Sequence, residues 1–188
     1  MRNILIILFV GSFFTSIAQK KYGSDYITDD SVLSEYISFL NDSKSKGLDF
    51  KIKSPKGFIN TFADSPNIIR LWRKKNAIEN DDPWIYILIL NEKTYENKID
   101  FEKEFIDEGG IFMFANEIPN SSNISYFSAD KNPGVIFDFD NSNGDKLTMI
   151  NLWLSNHIVQ FFFAERGSDN SNDYRNTFIS FAKSIKFL

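Results

Sequence analysis

Apolar and polar positions change their spacing several times along this chain, and each change marks an element. Val32, Leu33, Tyr36, Ile37 and Leu40 recur three and four residues apart. With Asp29 or Asp30 in front as a cap, that spacing predicts a first helix, ended by the polar run from Asn41 to Gly47. From Leu48 the period becomes two: Phe50 and Ile52 alternate with Lys51 and Lys53, which predicts a half-buried strand. Ser54-Pro55-Lys56-Gly57 supplies turn residues, with Phe58 and Phe62 in the connection beyond. Residues 68–74 predict a second strand. Residues 84–90 (Trp-Ile-Tyr-Ile-Leu-Ile-Leu) are apolar at both parities, the pattern of a strand buried on both faces, so layers must cover both sides of its sheet.

The second half repeats these signals. Asp100 predicts the cap of a short helix carrying Phe101 and Phe105, closed by Gly109-Gly110, while 111–118 follows no clear period. Residues 124–129 predict a strand, with a turn at Asp130-Lys131-Asn132-Pro133-Gly134. A meander follows over 135–140, 147–154 and 158–164, joined by hairpin-type connections at 141–144 and 155–157. Tyr174, Phe178, Phe181, Ala182 and Ile185 then share one helical face. Short turns between consecutive strands make the sheet mainly antiparallel. The order helix, strands, helix, strands, helix predicts an α+β fold, a three-layer α/β/α sandwich around that sheet.

The first eighteen residues stand outside this pattern. Arg2 precedes the apolar run Ile4 to Val10, and small residues follow at Ser16 and Ala18, the parts of a secretory signal cleaved between Ala18 and Gln19. Gly11, Ser12, Thr15 and Ser16 interrupt the run well short of the roughly 20 apolar residues that a span requires. A secreted or periplasmic protein with no stable membrane span after cleavage is therefore expected. Residues 19–47 then form a lead-in and helix, and 48–188 one domain.

Composition narrows the chemistry. The chain has no cysteine, which excludes thiolate zinc sites, iron–sulfur clusters, cysteine nucleophiles and lipoprotein acylation. Its net charge is −4, and loss of Arg2 makes it more negative, which argues against nucleic acid as a partner. Twenty Phe among 188 residues point to sheet-rich structure.

Three stretches carry a further pattern. A strand runs into a Pro-x-Gly-aromatic turn at Phe50 to Phe58, Asn132-Pro133-Gly134 precedes the meander, and the chain closes on Phe181-Ala182-Lys183-Ser184-Ile185-Lys186-Phe187. Together these resemble the PsbP-like superfamily, named for an extrinsic subunit of photosystem II, over about 48–188. The helix over 29–40 is an addition to that pattern. The resemblance implies a non-catalytic adaptor, chaperone or envelope protein, and it brings no catalytic motif to transfer.

Candidate sites are few. Asp138, Asp140, Ser142, Gly144 and Asp145 suggest a calcium loop, but Asn143 and Met149 fall where an EF-hand needs Gly and Glu, and an acidic hairpin accounts for them. His157, the only histidine, is expected in an exposed turn. The carboxylates Asp100, Glu102, Glu104, Asp107 and Glu108 alternate with lysines, as on a solvated helix face. Phe161-Phe162-Phe163 predicts a strand buried on both faces, with a lipid pocket as its functional alternative. Arg70, Trp72 and Lys74 share one strand face and form the best binding patch, since a Trp between cations stacks on a planar partner when exposed and packs under a helix when not. The function expected is that of an exported, non-enzymatic protein without a cofactor, binding another envelope or extracellular protein through a sheet edge or loop face. The alternatives are a small-molecule or lipid carrier with its pocket between sheet and helix, and a hydrolase built on scattered carboxylates.

Overall fold

Ten strands and one α-helix make up the regular structure of the residues described by the computed structural model, which are Tyr26, 28–75, 83–90, 124–140, 146–154, 157–165 and 172–188. The strands are β1 (Leu33–Phe39), β2 (Phe50–Pro55), β3 (Phe58–Thr61), β4 (Ile68–Lys74), β5 (Trp84–Leu90), β6 (Ile124–Ala129), β7 (Asn132–Asp140), β8 (Lys146–Leu154) and β9 (His157–Glu165). Helix α1 (Asn172–Lys183) and the two-residue β10 (Lys186–Phe187) end the chain. All pairings are antiparallel. A seven-stranded sheet runs β3-β4-β5-β9-β8-β7-β6, and a three-stranded sheet runs β1-β2-β10.

The three-layer α/β/α sandwich is therefore corrected to a mostly β architecture with two antiparallel sheets. The stretch read as a first helix is a single tight turn at Asp30–Val32, capped by the Asp29 carboxylate, followed by strand β1. Its register sets Ile37 against Ile52 and Phe39 against Phe50, whose rings stack at 4.8 Å. Phe39 is 3% exposed and lies off the helical stripe, whereas Leu33, Ile37 and Phe39 fit a period of two. Burial of that aromatic against β2 outweighs a weak helical spacing. The predicted helix over 100–108, the stretch 111–118, the signal segment and the loops at 141–145 and 155–156 lie outside the described residues.

Both faces of the large sheet are buried along its central strands, as the doubly apolar β5 required. Ile85, Ile87 and Ile89 face one way, with Phe161 and Phe163 of β9, and meet β1, β2 and α1 in one cluster. Phe163 stacks on Phe178 at 5.4 Å, and Phe161 meets Phe181 edge-on at 6.1 Å. Val135, Phe137, Met149 and Phe162 form a second cluster on the opposite face. Arg175 on α1 ties that helix to β7 through a two-pronged ion pair with Asp138, at 2.9 and 2.7 Å. Among the described residues no helix is long and apolar enough to cross a membrane.

Two glycines do specific work. Gly57, at φ 79°, makes the predicted turn between β2 and β3. Gly134 lies inside β7 rather than in a turn, and a Cβ there would stand 2.2 Å from the Asn151 carbonyl oxygen of β8. The turn before it is made by Asp130 and Lys131, both with positive φ.

Candidate functional site

Strand alternation does place Arg70, Trp72 and Lys74 on one face of β4, but that face is the inner one. Trp72 is fully buried. Its indole nitrogen donates to Ser54 Oγ at 2.9 Å, and its ring meets Phe181 of α1 edge-on at 4.9 Å. Of the two arrangements open to it, the indole is thus the one packed under a helix, its single polar atom satisfied inside the fold. Lys74 extends over the Tyr174 ring, 4.5 Å from the centroid, and pairs strand with helix. These two residues offer no shared surface to a partner.

Arg70 alone reaches a surface aromatic, and that aromatic is Phe62. The guanidinium carbon lies 4.1 Å from the Phe62 centroid and 5.2 Å from that of Phe39. Arg70 Nη1 also donates to the Ile69 carbonyl at 2.8 Å and faces Asp42 at 3.6 Å. Asp42 in turn caps the turn Ser43–Ser45 by accepting from the Lys44 amide at 2.9 Å. Phe62 itself is 78% exposed, with Leu40 also at the surface.

The loop that presents Phe62 is clamped from below. Lys44 Nζ donates to the carbonyls of Ala63, Ser65 and Ile68 at 2.9, 3.0 and 3.2 Å, so all three ammonium protons are used. An exposed phenyl ring thus stands on a held backbone with a cation against one face. Phe62 lies in the connection that the sequence predicts after Gly57, with no periodic pattern of its own. The available signal was an aromatic residue entering the polar, Pro-containing stretch Ala63 to Asn67.

Two of the other candidates, His157 and Asp138, are accounted for locally. His157 sits at the start of β9, 7% exposed, with Nε2 3.2 Å from the Lys46 carbonyl oxygen, so the exposed-turn reading is corrected. Asp138 is committed to Arg175 and to Thr148 Oγ1 at 2.7 Å, and hydrogen bonding to Asp138 raises the Arg175 pKa. Among the described residues no group of three or more His, Asp or Glu side chains is arranged to hold a metal ion. The carboxylates at 100–108 lie outside those residues.

No family model matches the chain, and no curated protein does. Several solved structures are similar at low identity. Cyanobacterial PsbP (CyanoP) from Synechocystis sp. PCC 6803 has a TM-score of 0.48 at 13% identity, over 89% of this chain and 98% of that one. A single-residue variant of the protein Mog1 has a TM-score of 0.44 at 8% identity, over 81% and 96%. A protein from Bacteroides thetaiotaomicron has a TM-score of 0.41 at 12% identity, over 73% of this chain and 44% of its own. The PsbP likeness is thus a distant one in structure. It assigns the chain to no family and transfers no residue or activity to it.

Proposed function

We propose that this is an exported, non-catalytic binding protein that docks another envelope or extracellular protein on Phe62. The N-terminal pattern of Arg2, an apolar run and Ser16-x-Ala18 supports export. One observation carries the binding reading: Phe62 is 78% exposed yet held between the Arg70 guanidinium and a loop clamped by Lys44. An aromatic anchor that is already ordered loses little freedom on association, so more of its buried area appears as affinity. Arg70 adds a cation whose other contacts, to Ile69 and Asp42, hold it beneath the ring.

The test uses residues 19–188 as immobilised bait against envelope and culture-medium fractions, with Phe62→Ala in parallel. The expected result is a stoichiometric protein partner that binds Phe62→Ala roughly 30-fold or more weakly, the scale of an interface hot spot. Equal capture by both baits removes Phe62 from the interface, and capture of nothing removes the binding reading.

A further inference from the structure

The small sheet ends on a strand with an open edge. Among the described residues β1 pairs with β2 alone, and Ser34, Glu35, Tyr36, Ser38 and Leu40 are exposed along it. The direction of its backbone groups follows from the other side of β2. Leu188 N–H donates to the Asp49 carbonyl at 3.0 Å and Lys53 N–H to Ser184 Oγ at 3.0 Å, so Asp49, Lys51 and Lys53 turn their backbone groups away from β1. Phe50 and Ile52 therefore bond to their register partners Phe39 and Ile37. Tyr36 and Ser38, and Leu40 by the same alternation, aim their N–H and C=O groups at the open edge.

Such an edge is a template for another strand, and proteins blunt it with bulges and charges. Strand β1 has both ahead of Tyr36: an extra residue between Leu33 and Tyr36, and Glu35. Residues 36–40 carry neither. On their outer face Tyr36 is 39% exposed and Leu40 57%, placed symmetrically about Ser38. A two-fold axis at Ser38 sets Tyr36 against Leu40 of a second copy, Ile37 against its Phe39 and Ser38 against its Ser38, with the outward N–H and C=O groups paired. An axis at Ile37 would instead set Glu35 against Phe39. The Tyr36 ring is already held, with Lys51 and Lys53 Nζ 5.1 and 5.5 Å from its centroid. Lys51, the register partner of Ser38, would stand three strand spacings from its counterpart, roughly 14 Å and beyond the screening length at physiological salt.

We propose that β1 is a homodimerisation edge, through which two copies of this chain pair antiparallel over Tyr36 to Leu40 and join their small sheets into one. The proposal does not use Phe62 and stands apart from the docking reading.

Sedimentation equilibrium on residues 19–188 should show self-association. Ser38→Pro should weaken it roughly tenfold or more, since it removes an N–H that points away from β2. Ser38→Lys, which leaves the backbone intact and sets two like charges opposite each other, should do the same and replaces the proline variant if that does not fold. The register has its own readout, because the chain has no cysteine. In an oxidising glutathione buffer Ser38→Cys should link two chains roughly tenfold or more faster than Tyr36→Cys, because the paired Cα atoms stand about 5.5 Å apart in the first and about 14 Å apart in the second. A monomer at every concentration, self-association undiminished in a folded Ser38 variant, or equal linking rates overturns the proposal.

Discussion

Trp72 lies on β4 beside Arg70 and Phe62 in the connection that leads into that strand, and they meet opposite fates. Trp72 points inward, fully buried, its indole N–H bonded to Ser54 and its ring against Phe181. Phe62 points outward, 78% exposed, its ring against the Arg70 guanidinium. One joins the large sheet to the small sheet and the helix; the other adds almost nothing to that union. The contrast teaches where to look for recognition in a fold this rich in aromatics. A buried aromatic stabilises the fold, whereas an exposed one on a tethered loop is a surface kept ready.

Variants divide along the same line. Trp72→Ala should be the most damaging, costing about 3–5 kcal/mol in chemical denaturation, because it empties the wedge between β4 and α1. Any loss of partner binding in that variant reports folding rather than recognition. Lys44→Met should come next, at about 1–2 kcal/mol, since it keeps the stem and strips three carbonyls of their charged donor. It should also weaken partner binding by freeing the loop. Ser54→Ala should cost about 1 kcal/mol by leaving the Trp72 N–H unpaired, and partner affinity should stay unchanged. Phe62→Ala should shift stability by less than about 0.5 kcal/mol, the usual range for an exposed site.

A titration sharpens the picture of the second face. The partly buried Tyr86 phenol has a folded pKa raised by desolvation above its ordinary 10.0. Its neutral form is favoured in the fold, so its contribution is intact below the unfolded value and is lost as pH rises through and beyond 10.0. Denaturation midpoints measured across that alkaline range should fall for the natural chain and fall less for Tyr86→Phe.

Much of the sheet was legible because its strands carry strong period-two or doubly apolar patterns. Strands β4, β5, β6, β8 and β9 lie where the sequence places them, within a residue or two, and so does α1. The first element failed because Val32, Leu33, Tyr36, Ile37 and Leu40 mimic a helical stripe, while the pairing of Phe39 with Phe50 that decides the matter is nonlocal. Phe58 carries no strand signal for a related reason: β3 has four residues and exists only through its register with β4. The site was harder still. Alternation gave Arg70, Trp72 and Lys74 a common face but could not say that the face was inward, because that depends on β2 and α1 packing above it. Phe62 acquires its meaning from Lys44, eighteen residues upstream, and from Arg70, and neither contact has a local signature.

The most direct test of the docking account is the affinity of the captured partner for Phe62→Ala, measured beside the unfolding midpoint of the same variant. The account predicts a partner bound roughly 30-fold or more weakly with the midpoint unchanged. Undiminished affinity in a folded Phe62→Ala chain would contradict it.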